Sequence, residues 1–175
     1  MVNANIGLIL HERGDSSEEL LFRFAFALRA KGVDAGGLVQ RSSTATNGKP
    51  EMDLIDLRTG REFGISQNLG AGSTACCLDP GGLAEASQVL RRVIAAGVDL
   101  LVVNKFAGAE CDGGGLAMET FEAIAAGIPV LTSLATRYRE RWDVLTEAAG
   151  TLLEPDEAAL WRWWAEVSQE QKVAS

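Results

Sequence analysis

The chain has 175 residues and a mass of 18.6 kDa, enough for one domain with a sizeable core and too short for two ordinary domains with a linker. Hydrophobic residues make up 47% and charged residues 23%, which excludes disordered, collagen-like and disulfide-scaffold classes. Sixteen basic residues against 24 acidic ones leave a formal charge of -8, which opposes nonspecific nucleic-acid binding. The expected organisation is a single α/β domain over residues 1–175.

The start, Met1 to Asn5, lacks the basic segment of a signal peptide, and no apolar run reaches the length of a membrane span. Cys76 and Cys77 are adjacent and Cys111 stands apart, without the spacing of a disulfide framework or zinc site. A cytoplasmic location without membrane insertion is expected.

In chain order, Ile6–Leu10 is a continuous apolar run, as in a buried parallel strand, followed by the polar loop His11 to Asp15. A helix follows, with Ser16 or Ser17 as its cap, Glu18 and Glu19 in its first turn, and Leu21, Phe24, Ala25 and Leu28 on one face before Gly32. Gly36 to Gln40 reads as the next strand, and Arg41 to Pro50 as a mobile surface loop rich in Ser, Thr, Asn and Gly. Met52 to Ile65 reads as a hairpin turning at Thr59-Gly60, an antiparallel extension of the sheet. Asp79-Pro80 opens a helix that stops at Gly97. Asp99 to Val103 is a second apolar strand breaking at Asn104-Lys105, and Leu116 to Ala126 a helix before Gly127. Ile128 to Thr132 is a third core strand. A helix marked by Tyr138, Trp142 and Leu145 and stopped by Gly150, an edge strand Thr151 to Leu153, and a terminal helix with Leu160, Trp163, Trp164 and Val167 complete the pattern. Alternating strands and helices imply a three-layer, mostly parallel sheet.

Ligands of open parallel sheets bind outside the carboxyl ends of the strands, which singles out a few residues. After the first strand come His11, Arg13, Gly14, Asp15, Ser16 and Ser17; after the second, Gln40; after the third, Asn104, Lys105 and Glu110; after the fourth, Thr132. A strand, a loop with Gly14, and a helix opening at Asp15-Ser16-Ser17 have the layout of a phosphate-binding loop, in which backbone N–H groups meet an anion. The pattern G-x-x-x-x-G-K-[ST] is broken: Asp15 takes the place of its lysine and Leu10 stands near its first glycine. Reversing a unit charge about 4 Å from a phosphate shifts their interaction by several kcal/mol, which disfavours a triphosphate in the usual pose. Lys105 brings a cation to the same crevice, able to pair with Asp15 or Glu110 or to bind an anion. Glu110 to Gly115 reads as a flexible glycine run.

The segments Gly14 to Ser17, Gly37 to Gln40, Met52 to Gly60, Cys76 to Pro80, Val103 to Phe106 and Gly127 to Thr132 resemble an uncharacterised bacterial domain family whose members are commonly encoded beside molybdenum-transport genes. That family is similar in layout to small P-loop nucleoside triphosphatases of the cancer-related type. The resemblance implies a P-loop-NTPase-like fold with an antiparallel hairpin extension. It also sets Asp15 at the place of the phosphate-loop lysine, Asn104 at the magnesium aspartate and Lys105 at the catalytic glutamate. Cys77 stands where the bacterial family is expected to carry an arginine. The implied function is a non-hydrolysing protein that binds a small oxyanion, such as molybdate, or a nucleotide, with a possible partner in molybdenum transport. The alternatives are a magnesium-dependent nucleoside triphosphatase or kinase with Mg-nucleotide as its ligand, and a protein-binding scaffold.

Overall fold

The computed structural model describes residues 5–65 and 79–175; Cys76, Cys77 and Leu78 lie outside them. In chain order the elements are β1 Ile6–His11, α1 Ser17–Ala30, β2 Ala35–Thr44, β3 Pro50–Asp56, β4 Glu62–Gly64, α2 Pro80–Ala96, β5 Leu100–Phe106, α3 Gly108–Cys111, α4 Ala117–Ala125, β6 Val130–Ala135, a 3-10 turn Thr136–Tyr138, α5 Arg139–Thr146, β7 Thr151–Leu153 and α6 Glu157–Ala174.

The described strands form a seven-stranded sheet in the order β4-β3-β2-β5-β6-β1-β7. From β2 to β7 every pairing is parallel, while β3 and β4 add an antiparallel hairpin at one edge. One face of the sheet is covered by α1 and α6, which bring Leu21, Phe24, Leu28, Leu160 and Trp163 onto Val39, Val102 and Leu131. The other face is covered by α2 and α4, with Val89, Leu90, Val93 and Ala123 against Leu38, Leu101, Val103 and Val130. A third cluster joins Ile6, Leu8, Phe106, Leu134 and Trp142 beside α5. Alternation explains the split: neighbouring residues of a buried strand face opposite layers, so a strand covered on both sides reads as an unbroken apolar run. A Cβ on Gly7 would come 2.9 Å from both Leu131 and Trp163, so a glycine in β1 gives Trp163 its seat on the sheet. No helix among the described residues is long and apolar enough to cross a membrane.

Several boundaries differ from the sequence reading. Arg41 to Thr44 is not loop: β2 runs through it, paired with β3 in a register that sets Arg41 opposite Asp53 and Thr44 opposite Pro50. Only a tight turn remains, closed by the Ala45 N–H on the Lys49 carbonyl at 2.8 Å. Ser and Thr look like loop residues until a partner strand takes up their backbone groups. Strand β5 runs on to Phe106, but its ladder with β6 is interrupted at Asn104-Lys105, where the sequence places a break, and resumes with Phe106 opposite Leu134; Ser133 Oγ–H donates to the Asn104 carbonyl at 2.9 Å and Gln40 takes up the Asn104 side chain. Likewise β6 begins at Val130 and runs past Thr132 to Ala135. The run from Glu110 is not a flexible one throughout, since Glu110 and Cys111 belong to the short helix α3. Helix α5 ends at Thr146, well before Gly150, through Glu147 and Ala148 at φ 54° and 56°, and Leu145 is exposed rather than packed.

Candidate functional site

At the carboxyl end of β1 a cleft of about 1010 Å³ opens between the β1–α1 loop, the first turns of α1 and the outer half of β2. His11, Arg13, Gly14, Asp15, Ser16, Ser17 and Gln40 all line it. The loop is held by Asp15. Its carboxylate accepts the Glu12 N–H at 2.8 Å, and the Asp15 N–H donates to the Glu12 carbonyl at 3.2 Å. Asp15 is thus engaged with its own loop, and Lys105 makes no ion pair with it. Gly14 takes φ +97° with open space around it, a backbone state that L side chains rarely adopt.

Ser16 is the N-cap of α1, but neither it nor Ser17 caps as expected, because no side chain accepts from the first turn. The first N–H groups of a helix have no intrahelical partner, and they carry the positive end of the helix dipole. Here that end faces the cleft. Arg13, Arg23 and Arg137 join the lining, and among the described residues none of them has a carboxylate within 4.0 Å. Arg137 instead lies over the Tyr138 ring at 4.8 Å. Arg41 is occupied by Glu62 at 2.7 Å.

Behind the cleft wall a hydrogen-bonded chain runs inward from α1. Gln40 Nε2 donates to Glu18 Oε1 at 2.9 Å, and Asn104 Nδ2 donates to Gln40 Oε1 at 2.6 Å. Ser42 Oγ–H donates to Glu18 Oε2 at 3.1 Å, and Lys105 Nζ lies 3.9 Å from Glu18 Oε1. Both predicted partners of Lys105 are therefore replaced by Glu18. Asn104 is 4% exposed, and its Oδ1 has no hydrogen-bond partner.

The remaining sequence candidates lie elsewhere. Glu110 is buried in the β5–α4 connection, where its carboxylate accepts the N–H groups of Ala107 and Leu116 at 3.0 and 3.2 Å. Thr132 is fully buried within β6, with its hydroxyl unpartnered. Neither lines the cleft, and nor do Asn104 and Lys105. Sequence reading missed Glu18, Glu19, Phe22, Arg23, Ser42, Ala135 and Arg137 as lining residues. Arg137 was within reach: it follows β6, and the rule of looking just past each strand finds it once the end of β6 is placed at Ala135.

Comparison with known proteins gives the context. Residues 6–163 match a family described as "Protein of unknown function (DUF2478)", and the chain belongs to that family. It is 42% identical over 168 residues to the Molybdenum import ATP-binding protein ModC 2 of Bradyrhizobium diazoefficiens. That match covers 95% of this chain but 19% of the relative, so the chain spans about a fifth of that protein's length. The solution structure of a human cancer-related nucleoside triphosphatase aligns over 97% of this chain and 98% of its own, at a TM-score of 0.64 and 14% identity. The fold is that of a P-loop nucleoside triphosphatase.

Proposed function

We propose that this member of the DUF2478 family binds a small oxyanion or a nucleotide at the N-terminus of α1 without hydrolysing it, in an accessory role beside a cytoplasmic component of molybdenum import. The observation that carries the reading is the uncapped first turn of α1 opening on a cleft whose Arg13 and Arg137 have no carboxylate partner among the described residues. Free helix N–H groups together with unpaired guanidinium groups attract an anion and supply directed donors to it.

Two features speak against phosphoryl transfer by the route of the fold's hydrolases. That route uses a loop lysine and a carboxylate that holds magnesium. Here the lysine position carries Asp15, whose negative charge repels a phosphate, and the aspartate position carries Asn104, tied to Gln40. The partner in molybdenum transport rests on the name of the longer relative.

Thermal unfolding of the purified chain against molybdate, tungstate, sulfate, phosphate, Mg-ATP and Mg-GTP tests this. A ligand at a hundred times its Kd adds about 2.7 kcal/mol of stability. Stabilisation by at least one of these anions, weakened about tenfold in affinity by Arg13→Ala or Arg137→Ala, is expected. Magnesium-dependent phosphate release lost in Ser16→Ala would replace the reading with a hydrolase, and no stabilisation by any of the six would remove the site.

A further inference from the structure

The hairpin turn at Thr59-Gly60 lies far from the cleft, at the end of the sheet where β2 and β5 begin: the Leu57 N–H donates to the Gly37 carbonyl at 3.0 Å, and Asp34 precedes β2. Between this turn and α2 is a second cavity, of about 380 Å³. Val89 and Val93, one helical turn apart, supply its apolar wall, while Arg58 and Arg61 from the turn and Arg92 from α2 supply three guanidinium groups.

The carboxylate in this lining, Asp56, is not available to them. It is buried and accepts the Arg58 N–H at 2.9 Å and the Thr59 hydroxyl at 2.8 Å, so its oxygens are engaged in building the turn while its charge stays beside the guanidinium groups. Outside the lining, Arg58 Nε lies 3.6 Å from Asp34 and Arg61 Nη2 lies 3.0 Å from Glu85, both pairs well exposed. Arg92 has no carboxylate within 4.0 Å among the described residues. Exposed ion pairs contribute little, so an incoming anion can recruit these side chains. The carboxylates of Asp56, Asp34 and Glu85 balance the three guanidinium charges, so the attraction for an anion comes from directed guanidinium N–H donors, above all those of the unpaired Arg92, and not from a net local charge.

We propose that this cavity binds a small organic anion: a phosphate or carboxylate group held by Arg58, Arg61 and Arg92, joined to an apolar body that rests on Val89 and Val93. Guanidinium forks match both oxyanions bidentately, and a pocket with an apolar wall and a few convergent polar groups selects a ligand that has both parts. The site is independent of the cleft at α1, because no lining residue is shared.

The test is a titration of the full chain with phenyl phosphate and, separately, with benzoate, followed by 1H–15N spectra that report the Thr59, Gly60 and Gly14 amides and the arginine Nε–H groups. The expected result is a saturable shift at Thr59, Gly60 and the Nε–H of Arg92 with at least one probe. Saturation by phenyl phosphate alone identifies a phosphate ligand, and by benzoate alone a carboxylate. Arg92→Gln and Arg61→Gln, which keep these exposed positions polar, each weaken that binding about tenfold. Shifts confined to Gly14 would overturn the site while leaving the cleft reading intact. Absence of saturation, equal affinity in both variants, or equally tight binding of inorganic phosphate would also overturn it.

Discussion

The connections that follow β1 and β5 carry the same kinds of residue to different ends. Each joins the carboxyl end of a parallel strand to a helix, and each contains an acidic residue and a glycine at positive φ, Asp15 with Gly14 in one and Glu110 with Gly115 in the other. In the β5–α4 connection the acidic side chain is engaged at both oxygens: Glu110 ties Ala107 to Leu116, and a Cβ on Gly115 would sit 2.1 Å from Glu110 Oε1. In the β1–α1 connection Asp15 holds one N–H, Gly14 faces open space, and the helix end it leads to has no cap. A saturated connection is a structural clamp, and an unsaturated one on a cleft is available to a ligand.

The largest effects should fall on the clamp. Glu110→Ala leaves one buried and one half-buried N–H group, those of Leu116 and Ala107, without their acceptor, and a loss of about 3 kcal/mol is expected in urea unfolding. Gly115→Ala pushes a methyl group into that carboxylate at φ +54°, with a comparable loss of about 3 kcal/mol. In the open connection Gly14→Ala meets no atom and bears only the backbone cost of φ +97°, about 1 kcal/mol. A Gly14→Ala loss equal to that of Gly115→Ala would end the distinction.

The comparison also shows what could be read in advance. Apolar runs and helix caps placed the sheet, the hairpin and the phosphate-loop layout, since strands covered on both faces and helices with Asp79-Pro80 or Gly97 signals declare themselves locally. Whether Glu110 faces a ligand or its own backbone is not local. It depends on where the Leu116 N–H arrives after the glycine run. The same holds for Lys105, whose carboxylate partner was sought in Asp15 and Glu110 and lies in Glu18, on the helix packed against the same strands. Ser42 was hidden in a stretch whose composition reads as loop, because its pairing with Met52 is a tertiary fact.

A smaller stability effect sharpens the other side of the comparison. Arg13→Ala and Arg137→Ala remove side chains without ion-pair partners among the described residues, so the ligand-free chain should change by no more than about 0.5 kcal/mol. Their cost should appear only as reduced stabilisation by an added oxyanion. Destabilisation of the free protein by more than that in differential scanning calorimetry would mean that these arginines support the fold instead.

The smallest effect expected is a pH dependence in the clamp. Cys111 ends α3 beside Glu110, and burial raises its thiol pKa, opposed by Arg141 and aided by the carboxylates of Glu110 and Asp112. A thiol whose folded pKa lies above its unfolded value gives up its proton first in the unfolded chain. The folded state then binds more protons, and stability falls as pH rises above the unfolded thiol's pKa, near about 8.5. Urea unfolding at pH 7 and at about pH 9.5 should therefore show a steeper loss in the native sequence than in Cys111→Ser. Arg141→Ala removes the opposing charge and should steepen that loss further. Since Cys76 and Cys77 are common to all three chains, their titration cancels in the difference. Equal slopes in the native sequence and Cys111→Ser would show that α3 opens enough to hydrate its thiol, and the β5–α4 connection would then be less closed than its hydrogen bonds imply.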